Sequence, residues 1–386
     1  MSAAAIRRIV VVGNGIAGLT AADSLRGAGF DGELTIIGDE RHPACSRPAL
    51  SKALLSDCAD LTSHQLPAPT HGALEIAGRR ACGLDAERRR VALDDGTELP
   101  YDRLVVATGS RARRLSDLAG ELTLRGLDDA LALRERLAAR PSVVVVGGGP
   151  LGMEVASGCV AARCQVTVVS QGMPLEMQLG PHLARVFAEA AQGRGVALVQ
   201  TESARLEEHG GATRVVLEED IVLEAELVVS AVGDVPNTEW LAGTSLVTDG
   251  VVRVDARGLA RPDVAAVGDL AVFPTPYGMR RIPLWSTAIA HSKVAAAALV
   301  HGEAAPPLQF QPYFWTEQFG LSLKAVGFLP LNGPPVYVDG GPGGPALMRW
   351  THEDGRGAAA ALNYRIPIPR LRRITEDAAT GARRAA

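Results

Sequence analysis

The chain has 386 residues, 47% of them hydrophobic, and a formal net charge of −4. That length exceeds one ordinary core, so two or three domains are expected, and the charge gives no electrostatic case for nucleic acid or an anionic membrane. No stretch is long and apolar enough to span a bilayer, and five cysteines without a repeated spacing argue against a disulfide framework.

Arg7 and Arg8 are followed by only four apolar residues, which is not the pattern of a secretory signal; a soluble, reducing, cytoplasmic setting is expected. Those four, Ile9-Val10-Val11-Val12, read as a buried strand. Gly13-Asn14-Gly15-Ile16-Ala17-Gly18 follows in the pattern G-x-G-x-x-G, and a helix is expected from about Ala17 to Ala28. In such a turn the first glycine permits the reversal, the second lets backbone approach a pyrophosphate, and the third lets helix and strand pack closely. The helix N-terminus then offers N–H groups and a positive dipole end to phosphate. The next strand, Leu34-Thr35-Ile36-Ile37, is followed by Asp39 and Glu40, at the spacing where a carboxylate holds a ribose hydroxyl; Asp39 is the preferred of the two.

Cys45-Ser46-Arg47-Pro48-Ala49-Leu50-Ser51-Lys52 places an arginine and a lysine around a proline turn, able to face one anionic or electron-rich group. A hairpin is expected around Val91–Gly96. Leu104-Val105-Val106 then forms a buried strand that ends in Ala107-Thr108-Gly109, small enough for backbone to approach a ligand. A linker containing Arg111 to Arg114 and a helix over Leu127–Ala139 lead to a second cradle. There Val143–Val146 runs into Gly147-Gly148-Gly149-Pro150-Leu151-Gly152, again G-x-G-x-x-G between strand and helix. The following strand, Gln165–Val169, ends at Ser170-Gln171-Gly172-Met173-Pro174. That tip has neither the acid that selects NADH nor the arginine that selects NADPH. Ala225–Gly233 continues the strand pattern, and Val264–Val267 ends in Gly268-Asp269, a carboxylate at a strand tip. From about Ala305 prolines, glycines and aromatics cluster, and a charged, frayed tail is expected after about Asp377.

Two cradles imply two dinucleotides, and hence electron traffic between them. The fold class expected is α/β: two Rossmann-like domains and a small C-terminal α+β domain. The boundaries are 1–113 with 250–305 for the first dinucleotide-binding domain, 114–249 for the second, and 306–386 for the third.

The glycine turns, Arg47–Lys52, Ala107-Thr108-Gly109, Gly147–Glu154, Val267-Gly268-Asp269 and Phe314-Trp315 together resemble the FAD-dependent pyridine nucleotide-disulfide oxidoreductases, specifically the ferredoxin reductase branch that serves bacterial oxygenases and P450s. The resemblance covers nearly the whole chain. It implies FAD in the first domain, NADH or NADPH in the second, and a C-terminal domain that covers the flavin. It also implies that Arg47 and Lys52 lie at the flavin ring, that Ala81 holds the adenine through its backbone, and that Arg125 contacts the cofactor. Asp269 would bind the ribityl chain and Trp285 the flavin end. Glu154 would sit near the nicotinamide, although a first-turn acid favoured by the helix dipole reads the same way. Trp315 would stack by the flavin or nicotinamide, or else serve as core.

The implied activity is an FAD-dependent NAD(P)H oxidoreductase that passes electrons to a ferredoxin-type iron–sulfur protein. No metal, nucleic-acid or membrane partner is expected, and the assembly is a monomer or a homodimer. The sequence departs from the family in three places. Cys45-Ser46 stands where a tyrosine–acid pair is usual, Pro283 where a glutamate precedes Trp285, and Ser170 at the selectivity position. These leave open a flavin-dependent oxidase or dehydrogenase acting directly on a small metabolite, with Cys45 as a thiol near the flavin.

Overall fold

The computed structural model describes residues 6–55, 62 and 64–375. These fall into two compact units. One comprises the described part of Met1–Ser46 with Gln65–Arg111 and Val235–Phe310; the other comprises the described parts of Arg47–His64 and Gln311–Ala386 with Ala112–Asp234.

The first unit is built on a six-stranded sheet in the order Leu259–Arg261, Val264–Ala266, Arg103–Val106, Arg8–Val12, Glu33–Gly38, Leu74–Ala77. Its pairings are parallel except at the Leu259–Arg261 edge. Because side chains alternate across a strand, Arg8–Val12 feeds two cores. Ile9 and Val11 pack on Ala17, Ala21, Ala22 and Leu25 of helix Ile16–Gly27, and on alanines of helix Trp285–His301. Val10 and Val12 pack on the opposite face with Val91, Leu93, Tyr101 and Trp240. Burial on both faces is why this strand reads as an unbroken apolar run rather than an alternating one. The expected hairpin is present between strands Arg90–Leu93 and Glu98–Pro100, joined by antiparallel pairing and by the Gly96 N–H donating to the Leu93 carbonyl at 3.1 Å.

The second unit repeats the plan. Its sheet runs Ala197–Gln200, Gln165–Ser170, Ser142–Val146, Leu227–Ser230, Glu121–Leu122, all parallel. Helices Pro150–Ala161 and Pro181–Gly193 each begin with proline, whose missing N–H costs nothing in a first turn. An antiparallel sheet follows in the order Tyr313–Gln318, Leu321–Val326, Gly357–Leu362, Ala346–Thr351, Val336–Gly340. A helix over 368–375 sets Leu371 into a core with Val326, Leu347, Ala359, Ala361 and Ile366. The molecule is thus α/β, with two Rossmann-like sheets and a C-terminal α+β element. The charged tail expected after Asp377 lies outside the described residues. Among the described residues no helix is long and apolar enough to cross a membrane.

Candidate functional site: two cradles and a buried ion pair

The glycines of each turn separate into two kinds. A Cβ on Gly13 would overlap the Ala107 carbonyl, and one on Gly18 would overlap the carbonyl of Gly13. In the second turn, Gly147 meets Ala231 and Gly152 meets Gly147 in the same way. Gly13 and Gly147 also hold φ of +116° and +120°, where side chains are strained. These four glycines are required by the protein itself. The middle glycines are not. Gly15 has φ −88° and ψ −174°, and Gly149 φ −74° and ψ 177°, extended conformations open to any residue. A Cβ on Gly15 would meet nothing within 4 Å, and one on Gly149 would meet only Gln178 Nε2 at 4.0 Å. Among the described residues nothing internal explains a glycine at either place, and the open space at each lies over a helix N-terminus, where N–H groups are offered to an anion.

Around the first cradle, Ile16 opens the helix, and Gly268, at φ +80°, brings its backbone against Ala17: a Cβ there would stand 3.1 Å from the Ala17 side chain. Asp269 follows, accepting from the Ser110 hydroxyl at 3.4 Å, while Arg281 donates to its backbone carbonyl at 2.9 Å. The Thr108 hydroxyl donates to the Asn237 carbonyl at 2.6 Å, Asn237 Nδ2 returns a bond to the Thr108 carbonyl, and the Asn237 N–H donates to Gly109. Thr108-Gly109 is therefore clamped by a residue the sequence reading did not single out. Asp39, just past the second strand, forms an exposed ion pair with Arg80 at 3.7 Å, and the Glu40 carbonyl accepts from Gly78 N–H. Ala81 is buried in register with Leu93. Trp285 is the first residue of its helix and half-buried. Cys45 is 4% exposed in an isolated bridge with Gln65 and forms no disulfide among the described residues.

In the second unit the structure gathers residues that lie far apart in the chain. The segment Arg47–Leu55 is anchored by Arg134 donating to the Leu54 carbonyl at 2.9 Å, and by Gly158, where any side chain would crowd Leu55. This turns Lys52 toward Glu154, on the helix that begins at the second cradle. The Lys52 ammonium lies 2.9 Å from Glu154 Oε1 and 2.9 Å from Oε2. Ser51 donates to Oε2 at 2.5 Å and Thr316 donates to Oε1 at 2.6 Å. Glu154 is 6% exposed, and three donors compensate a burial that would otherwise be costly for a carboxylate. Lys52 Nζ also stands 5.8 Å from the centre of the Trp315 ring, within cation–π range, and Trp315 stacks on Tyr313 at 5.5 Å. Arg47 donates to the Arg125 carbonyl at 2.7 Å, and the Arg125 and Gly126 N–H groups both donate to Asp129, which caps helix Leu127–Leu137. At the selectivity position the Ser170 hydroxyl donates to the Gly172 carbonyl at 2.7 Å.

Residues 7–292 match the pyridine nucleotide-disulphide oxidoreductase family. The chain belongs to that family. It is accordingly an FAD-dependent NAD(P)H oxidoreductase. It is 32% identical to the ferredoxin–NAD(+) reductase component of the biphenyl dioxygenase system of Paraburkholderia xenovorans, over 93% of this chain and 90% of that protein. It is 31% identical to putidaredoxin reductase of Pseudomonas putida, over 83% of this chain and 80% of that protein. The crystal structure of a covalent putidaredoxin reductase–putidaredoxin complex superimposes with a TM-score of 0.86 at 27% identity, covering 97% of this chain and 93% of the other. Membership in the family agrees with the resemblance read from the motifs.

Sequence reasoning missed Ser51, Thr316 and Asn237 as members of these clusters, and with them Gln318, whose Nε2 donates to Thr316 Oγ1 at 3.0 Å. The signal for Thr316 and Gln318 was weak but present: they sit two apart on strand Tyr313–Gln318, on the face opposite Tyr313 and Trp315.

Proposed function

We propose that the chain takes electrons from NAD(P)H and delivers them, through FAD, to a ferredoxin-type iron–sulfur protein. The observation that carries this reading is the pair of open middle glycines, Gly15 and Gly149, each at a helix N-terminus and each unexplained by internal packing. The identity of the acceptor is supported by the relatives, which are reductases of ferredoxins.

In this reading residues 1–113 and 250–305 bind FAD, residues 114–249 bind the nicotinamide coenzyme, and residues 306–386 form the third domain. Gly13, Gly15 and Gly18, with the N–H groups of Ile16 and Ala17, hold the FAD pyrophosphate. Asp39, with Glu40 beside it, holds the ribose; Ala81 holds the adenine, and Thr108, Gly109, Gly268, Asp269 and Trp285 the remainder. Gly147, Gly149 and Gly152 hold the second pyrophosphate. When bound, FAD supplies the group that accepts a hydride and releases electrons singly. The protein orients and tunes that chemistry. Lys52 provides a positive charge that favours the reduced, anionic cofactor, Glu154 fixes where that charge lies, and Arg47, Arg125 and Trp315 shape its surroundings.

The test is anaerobic mixing of the FAD-loaded protein with NADH or NADPH, followed by an oxidised ferredoxin. Bleaching of the flavin band by either nucleotide, and its recovery on adding ferredoxin, is the expected result. Bleaching by a small metabolite and by neither nucleotide would replace this reading with that of a metabolite oxidase or dehydrogenase.

A further inference from the structure

Glu154 is held by more than its lysine. Thr316 is fully buried and Gln318 is 3% exposed. Gln318 Nε2 donates to Thr316 Oγ1 at 3.0 Å, and Thr316 Oγ1 donates to Glu154 Oε1 at 2.6 Å. The other amide atom, Gln318 Oε1, is buried without a partner among the described residues. The Gln318 Nε2 group can only donate, so the Thr316 oxygen is the acceptor in that contact. The consequence is directional. A hydroxyl has one proton. With its oxygen already accepting from Gln318, Thr316 turns that proton to Glu154, where Ser51 and Lys52 also donate. The helix is fastened alongside by Ser157, which accepts from the Phe319 N–H at 2.8 Å.

We propose that Thr316 and Gln318 are positioning residues: together they aim a proton at Glu154, fix the orientation of its side chain, and so immobilise the Lys52 ammonium. This deepens the proposed function, since it rests on Lys52 serving the reaction, but the relay itself can be read without turnover. The sequence contains three lysines, Lys52, Lys293 and Lys324. In the FAD-loaded, nitrogen-15-labelled protein, a hydrogen-bonded ammonium gives a slowly exchanging NMR signal, and the one lost in Lys52→Met belongs to Lys52.

Thr316→Val keeps the volume and removes the hydroxyl. Its Lys52 ammonium protons exchange roughly tenfold faster, as expected for loss of one bond to a charged group. Thr316→Ser restores the slow signal. Gln318→Met reproduces the Val effect in a second variant should Thr316→Val not fold. An unchanged exchange rate in both Thr316→Val and Gln318→Met overturns the relay. The rate of flavin reduction by NAD(P)H is measured on the same samples: a fast-exchanging Lys52 with unchanged reduction keeps the relay and removes Lys52 from the reaction.

Discussion

Lys52 and Glu154, 102 positions apart, form a two-point contact in which one ammonium bridges both oxygens of one carboxylate at 2.9 Å. Removing either partner strands the other in a nearly dry site. Lys52→Met should therefore cost about 3 kcal/mol of stability, the usual penalty for an uncompensated buried charge. It should retain bound FAD and slow flavin reduction. Glu154→Gln should cost a similar amount, because the amide keeps an acceptor oxygen for only one of the Ser51 and Thr316 hydroxyls, turns an NH2 donor toward the other, and leaves the ammonium uncompensated. Chemical denaturation together with stopped-flow reduction checks both; wild-type reduction kinetics in Lys52→Met would take that residue out of the site.

The open and closed glycines make a sharper test. Gly15→Val has space and an allowed backbone, so it should fold at a cost of about 1 kcal/mol at the helix N-cap and purify without colour. Gly149→Val should fold, stay yellow and fail to bleach with NAD(P)H. Gly18→Ala should be poorly folded, since its methyl overlaps the Gly13 carbonyl. Visible spectra of the three purified variants decide the matter.

His291 sets an acid limit on the first unit. It is fully buried on helix Trp285–His301, against Phe273 at 4.9 Å, and neither ring nitrogen has a partner among the described residues. Burial lowers its pKa from 6.5 to about 4, against a weaker opposing pull from Asp255. The unfolded chain therefore binds the proton first. Stability is complete above pH 6.5 and is lost as pH falls from 6.5 toward about 4. By pH 5 the loss attributable to this group is about 2 kcal/mol. Urea titrations at pH 7 and pH 5 should show this difference in wild type and a smaller one in His291→Leu.

Glu121 acts at lower pH. It is 1% exposed, and burial alone would raise its pKa. Bonds from the Leu115 N–H at 2.8 Å, the Ser116 N–H at 2.9 Å and the Ser116 hydroxyl at 2.9 Å outweigh that and hold it below the ordinary carboxylate range. The stability it contributes is present above the carboxylate's ordinary pKa and disappears as pH drops through the lowered one. Glu121→Ala should cost about 2 kcal/mol at neutral pH, from donors left unsatisfied, and should narrow the difference in stability between pH 7 and pH 3.

The strands and both turns were legible in the sequence because their causes are local. A run such as Val143–Val146 is apolar throughout since both faces of the strand are covered, and the glycines beside it follow from turn geometry. The ion pair was half legible: Lys52 and Glu154 were singled out by motif, but nothing in their neighbourhoods announces that they touch. Ser51 carried no signal of its own and Thr316 only a faint one, because a hydroxyl gains its role only when the fold brings a carboxylate to it, here from 103 and 162 positions away. Asn237 escaped notice likewise: its clamp on Thr108 spans 129 positions.

Both turns leave the same gap over a middle glycine, so neither can tell one dinucleotide from the other. On the proposed function, discrimination would reside where the halves diverge, at the tips of the second strands, with a carboxylate at Asp39 in one and a hydroxyl tied to its own loop at Ser170 in the other. The turns at 13–18 and 147–152 would then be unselective sockets, with each half's choice of guest written some twenty residues downstream of them.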